Sequence, residues 1–116
     1  MSAACLFCKI VAGTIPANKM YEDEKVLAFA DIAPQAPVHV LVIPKRHIAS
    51  LEALTTADRD EMGHLLERTA QVARLLGVHE TGYRTIINTN AHGGQEVFHL
   101  HCHILGGRPM GPMVAR

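Results

Sequence analysis

The sequence predicts an antiparallel α+β domain. One run, residues 55–76, repeats its apolar side chains at helical spacing. Five other segments are short and apolar, as strands are, and the links between most of them are of turn or loop length. A doubly wound parallel sheet needs a long crossover between successive strands, and only one is present.

Residues 6–13 read as one short helix, broken before Pro16. Residues 19–22 and 26–30 read as a strand pair joined by Asp23-Glu24. Residues 31–37 exclude regular structure, because Pro34 and Pro37 lack a donor and restrict the residue before them. Residues 38–43 are apolar and β-branched, hence a strand, which Pro44 stops. Thr55 caps the long helix, with Asp58 three residues on. Met62, Leu65, Leu66, Thr69, Val72, Ala73 and Leu76 make its buried stripe, and Gly77 its stop. His64 falls with Asp60, Glu61 and Glu67 on the solvated face. Residues 83–88 are a strand, 91–95 a loop around Gly93-Gly94, and 97–105 the last strand. The glycines and prolines beyond it keep 106–116 an irregular tail of one domain spanning 1–116.

Eleven Lys+Arg balance eleven Asp+Glu, which excludes a basic nucleic-acid surface as the main device. Aromatic residues are 4% with no Trp, so stacking platforms for single strands are excluded too. Three cysteines leave one over from any pairing, which favours a reducing compartment. Residues 1–11 lack the basic region and long apolar run of a signal peptide, and nothing approaches about eighteen apolar residues in a row. The expectation is a cytoplasmic protein with no membrane partner. Eight histidines in 116 residues point to neutral-pH chemistry or to metal binding.

Three of those histidines alternate: His99, His101 and His103 share one face of a strand, and Leu100, Cys102 and Ile104 the other. Cys102 is therefore a small buried hydrophobe rather than a nucleophile. At about 3.3 Å per residue, His99 and His103 stand roughly 13 Å apart, too far to share one zinc ion. A central imidazole doing chemistry, with its neighbours supporting it, fits better.

His-x-His-x-His followed by Ile104-Leu105 resembles the signature of the histidine triad (HIT) family of nucleotide hydrolases and transferases. Lys9-Ile10, Ile15-Pro16-Ala17, Ala28-Phe29-Ala30-Asp31-Ile32, Pro34-Gln35-Ala36-Pro37, Leu41-Val42-Ile43-Pro44-Lys45, Asn88 and Gly93-Gly94-Gln95 resemble its Hint branch. Leu105-Gly106-Gly107-Arg108 is closer to that branch than to the dinucleoside polyphosphate hydrolases, which carry a proline–arginine pair there. The resemblance spans about residues 5 to 113. It implies a five-stranded antiparallel sheet with one long helix and one or two short ones, paired by a two-fold into a ten-stranded sheet. It also implies hydrolysis of purine nucleoside 5′-phosphoramidates or acyl-nucleotides, releasing AMP or GMP. The alternatives are dinucleoside polyphosphate hydrolysis, or a zinc-bearing nucleotide-binding regulator with negligible turnover.

Carried over by the resemblance, His101 is the nucleophile, with a backbone carbonyl fixing its tautomer. His103 aids the leaving group and contacts phosphate, and His99 supports both. Asp31 binds the ribose hydroxyls; Phe7, Ile10, Phe29 and Ile32 form the base slot. Asn88, Gln95 and the backbone N–H groups of Glu96 and Val97 contact phosphate. Glu96 departs from the serine of eukaryotic members, so only its backbone takes part. No cofactor is required for catalysis. Cys5-Leu6-Phe7-Cys8 is half a zinc site by spacing, and some microbial members complete such a site, which here implies His39 and His99. Two reduced cysteines or a labile redox pair are the alternatives. His47, His79 and His92 fall at turns or loops and read as surface histidines. Met110, Met113 and Val114 of the tail gain from a partner surface, although the tail lacks the tryptophan of many eukaryotic members.

Overall fold

The computed structural model describes residues 4–115; residues 1–3 and 116, the ends of the expected domain and of its tail, lie outside the described residues. Five strands form one sheet: β1 (Lys19–Glu22), β2 (Val26–Ala30), β3 (Val38–Pro44), β4 (Tyr83–Ile86) and β5 (Cys102–Gly106). Their spatial order is β1-β2-β3-β5-β4, and every neighbouring pair is antiparallel. The long helix α2 (Arg59–Leu75) is the crossover from β3 to β4, and α1 (Leu6–Ala12) precedes the sheet. The α+β class and the antiparallel meander are as the sequence predicts.

Both faces of the central strands are buried, each by a different helix. Val26, Ala28, Val40, Val42, Cys102 and Ile104 pack with Leu65, Val72 and Ala73 of α2. Leu27, Phe29, Leu41 and Ile43 pack with Phe7 and Ile10 of α1. Strand alternation delivers both sets from the same two segments, which is why β2 and β3 are continuous apolar runs. His39 and His103 share the α1 face, since their strand neighbours Val40, Cys102 and Ile104 belong to the α2 face.

Four element predictions need correction. The last strand starts at Cys102, not at residue 97. Its register with β3 stops at Val42 opposite Cys102, two residues before β3 ends at Pro44, which has no N–H to offer. Leu100 instead donates its N–H to the Ile48 carbonyl at 2.6 Å. The fourth strand ends at Ile86, where its register partner is His103. The expected loop at 91–95 contains a short helical turn, α3 (Asn90–Gly93). The long helix starts with a 3₁₀ turn over Thr56–Asp58; Thr55 and Asp58 form the expected capping box there, and the α-helix runs from Arg59.

Two assignments on α2 also change. Leu66 is 57% exposed rather than part of the buried stripe. His64 is not a free surface residue. Its Nε2 lies 2.8 Å from Asp23 Oδ2, and the same oxygen accepts from the Tyr21 hydroxyl at 2.7 Å. This cluster ties the β1–β2 turn to the helix. Burial opposes the Asp23 charge, but the Tyr21 hydroxyl and the Lys25 and Val26 N–H groups outweigh it and hold the carboxyl far below its ordinary range.

Candidate active site

His101 is buried, and its Nδ1 lies 2.7 Å from the backbone carbonyl of His99. A carbonyl only accepts, so Nδ1 carries the proton and Nε2 is left with its lone pair. The ring is held further by the edge of Phe7, 5.1 Å between centroids, and by His103 at 5.0 Å. The carbonyl expected to fix the tautomer is thus that of His99.

His103 has the opposite tautomer, set through His39. The Gln35 N–H donates to His39 Nδ1 at 3.1 Å. Neutral His39 therefore bears its proton on Nε2, which stands 2.9 Å from His103 Nδ1. His103 accepts there and keeps its own proton on Nε2. One histidine of the pair presents a nucleophilic nitrogen and the other an N–H donor. Burial, then the nearby His101 and His39, push the His103 pKa down to about 4. The Cys102 thiol is pushed up to about 11 by burial, so it stays protonated and is no nucleophile.

Asp31 follows β2. Its Oδ1 accepts the Ala33 N–H at 2.8 Å, and its Oδ2 lies 3.4 Å from His39 Nε2. Its neighbour Ile32 is 98% exposed, whereas Phe7, Ile10 and Phe29 are buried in the α1-side core. Phe7 meets Phe29 edge to face at 5.4 Å. Asn88 is half-buried just beyond β4.

Gln95 does not present its side chain to a ligand, contrary to the sequence reading. Its Nε2 donates to the carbonyls of Ala49 (2.8 Å) and Val97 (3.1 Å), and its Oε1 accepts the Asn90 N–H at 2.9 Å. Both donor protons are spent inside the protein, so Gln95 shapes the loop. Asn90 at φ 58° and Gly94 at φ 79° reverse the chain on either side of the turn. The Glu96 side chain is exposed.

The metal-ligating set also differs from the one expected. Cys5, Cys8, His47 and His99 converge, with one ligand atom from each within 4.8 Å of the others. His39 takes no part: it pairs opposite Leu105 at the far end of β3, while His99 Nε2 sits 2.7 Å from the Pro44 carbonyl. Five residues at about 3.3 Å each put those two ends roughly 16 Å apart. His47 replaces it because the turn after Pro44 brings its Nδ1 to 3.3 Å from Cys8 Sγ. A histidine three residues past a strand-stopping proline was the only signal, and periodicity gives such a residue no face.

The donor set fits a tetrahedral metal. Nδ1 of His99 lies 3.4 Å from Cys5 Sγ and 3.6 Å from Cys8 Sγ, and His47 Nδ1 lies 3.3 Å from Cys8 Sγ. With metal–sulfur bonds of about 2.3 Å and metal–nitrogen bonds of about 2.0–2.1 Å, a tetrahedral S···N edge is about 3.6 Å. His99 donates Nε2–H to Pro44, which leaves Nδ1 for the metal. A second group, Asp31, His39 and His103, also has its ligand atoms within 4.8 Å. It fits poorly, because ligation through His39 Nε2 would place a proton on Nδ1, where the Gln35 N–H already points.

A fold of this topology with a His-x-His-x-His segment at the mouth of β5 is that of the HIT family, and the chain belongs to it: the HIT domain family model matches residues 12–110. Among its relatives is the purine nucleoside phosphoramidase of Escherichia coli (strain K12), 45% identical over 99% of this chain and 97% of that protein. A HIT family hydrolase from Clostridium thermocellum superposes with a TM-score of 0.95 at 44% identity, covering 99% of this chain and all of that one. One from Legionella pneumophila gives 0.89 at 50% identity, covering 91% and 95%. Among the described residues no helix is long and apolar enough to cross a membrane.

Proposed function

We propose that the protein, acting as one domain over residues 1–116, hydrolyses purine nucleoside 5′-phosphoramidates through a covalent nucleotidyl-His101. The observation that carries this reading is the pair of opposed tautomers: the His99 carbonyl leaves His101 Nε2 free to attack, while His39 leaves His103 an Nε2–H to donate. The name of the Escherichia coli relative supports the substrate class.

His101 Nε2 bonds to phosphorus as the P–N bond breaks. His103 is neutral in the free protein, because burial disfavours its charge. His103 keeps its single proton on Nε2, where it hydrogen-bonds the leaving nitrogen as the P–N bond breaks, and the departing amine takes up the proton it needs from solvent. Water then attacks phosphorus and gives up its proton to solvent, the bond to His101 Nε2 breaks, and AMP or GMP leaves. Asp31 accepts from the ribose hydroxyls, and Ile32 covers the base against the Phe7, Ile10 and Phe29 side. Asn88 and the N–H groups of Glu96 and Val97 receive the phosphate charge.

The metal we assign to Cys5, Cys8, His47 and His99 is zinc, on its mixed sulfur and nitrogen donors and tetrahedral edges. Four protein ligands close its coordination, so its role is structural. The cysteines, none of them in a disulfide, support a reducing cytoplasmic setting. We also assign a two-fold dimer whose sheets join into ten strands.

Adenosine 5′-phosphoramidate and diadenosine polyphosphates, each incubated with the protein and with His101→Ala, test the reading. The phosphoramidate should release AMP, and His101→Ala should lose about 10⁴-fold or more of that rate. Retained hydrolysis in the variant would remove His101 from its role. Preference for the polyphosphates would replace the substrate class.

A further inference from the structure

The metal cluster and the histidine pair share one residue. His99 turns Nδ1 toward Cys5 and Cys8, at 3.4 and 3.6 Å, and its backbone carbonyl toward His101 Nδ1, at 2.7 Å. We propose that Cys5, Cys8 and His47 are positioning residues for the nucleophile: with a metal bound, they fix the His99 carbonyl, and that carbonyl fixes the tautomer and aim of His101. The proposal rests on His101 being the nucleophile.

The segment that holds His99 and His101 lies outside the sheet ladder, which begins at Cys102. Hydrogen bonds hold it to the end of β3, through His99 Nε2–H to Pro44, and to the loop beyond, through Leu100 N–H to Ile48. A metal adds ties to two further places, the start of α1 through the cysteines and the turn after Pro44 through His47. Phe7, between the two cysteines, meets the rings of both His99 (5.9 Å) and His101 (5.1 Å) edge-on. Anything that shifts the start of α1 therefore shifts the packing of both rings. A peptide that rotates between His99 and Leu100 removes the acceptor from His101 Nδ1. The freed ring then also samples the tautomer with its proton on Nε2, which has no lone pair to attack with. Of the contacts assigned to the nucleotide, Asp31 and Asn88 lie on other segments, while Phe7 lies between the cysteines and Val97 two residues before His99. Loss of the metal should therefore lower kcat by more than it raises KM.

The full-length protein labelled with ¹⁵N-histidine is compared zinc-loaded, chelator-stripped and zinc-restored, beside the His47→Gln variant. Ring ¹⁵N shifts and couplings report the His101 tautomer; kcat, KM and thermal unfolding are measured on the same samples. Zinc-loaded protein should show His101 protonated on Nδ1 alone. Stripped protein and His47→Gln should show mixed tautomers and a kcat lower by about 10–100-fold, the usual effect of removing support behind an active group. KM should rise by a smaller factor than kcat falls, and added zinc should reverse all of this in the wild type. A stripped protein that melts earlier but keeps His101 locked on Nδ1 would overturn the proposal. So would global unfolding of both stripped protein and variant, because the site would then hold the fold and not one carbonyl. The tautomer is read without substrate, so an unlocked His101 alongside an active His101→Ala variant would condemn the nucleophile assignment alone.

Discussion

His39 shows how one side chain acquires a role from its two nitrogens. The Gln35 N–H occupies Nδ1, so Nε2 must donate, and His103 is the group it meets. Replacing His39 by Leu removes that donor and lets His103 choose its tautomer. The expected loss is the worth of one buried hydrogen bond, about 1–2 kcal/mol, or roughly five- to thirtyfold in kcat/KM. His39→Gln places an amide N–H near the old Nε2 position and should recover much of the loss. Steady-state kinetics on both variants check this; equal activity of the two, near wild type, would leave His39 a packing residue. The same residue marks a limit of sequence reading. The resemblance paired it with His99 as a metal ligand, but His39 stands opposite Leu105 at one end of β3 while His99 meets Pro44 at the other. His47 was invisible for the complementary reason: a loop residue has no period, and only the chain reversal after Pro44 brings it to the cysteines. Alternation and the family motif agree on His101 and His103, whose rings the structure sets 5.0 Å apart, whereas Asp31 was offered by the motif alone.

Among the elements, the strand cores were readable because both faces of β2 and β3 are apolar and so leave continuous runs. The boundaries were less so. Histidine alternation runs from 99 to 103, yet the strand begins at Cys102, because Leu100 gives its N–H to Ile48 rather than to β3. Periodicity also hid the tie between α2 and the β1–β2 turn. His64 sits on the polar face, but that face meets Asp23, which accepts from Tyr21, Lys25, Val26 and His64. Asp23→Ala strips the acceptor from all four. A loss of about 2–3 kcal/mol in urea-unfolding stability is expected, within the range for partly buried hydrogen bonds to a charged group. KM for the phosphoramidate should not move, because the cluster is on the α2 side of the sheet and the histidines are on the α1 side. A variant of unchanged stability would mean that water replaces Asp23 at no cost.

At the scale of the whole molecule, the sheet has two edges and they are not alike. The β4 edge is four residues long, and a groove of about 610 Å³ opens beside it, lined by Tyr83, Arg84, Arg108 and Met110 among others. Arg84 reaches from that edge to the carbonyls of Gly111 and Pro112, so the tail is tied alongside the groove. Met113 and Val114 then stand 88% and 71% exposed. An unpaired strand edge beside exposed apolar side chains is what a two-fold partner would cover, and β4 against its copy extends five strands to ten. Such pairing has a signature that needs no mutation. Sedimentation should give about 25 kDa, twice the 12.6 kDa chain. The β4 N–H groups that face away from β5 should exchange slowly in the dimer, and faster when dilution dissociates it. A 12.6 kDa particle at micromolar concentration would end the idea. So would a dimer whose outward β4 amides exchange as fast as those of an open edge, because the two sheets would then meet elsewhere.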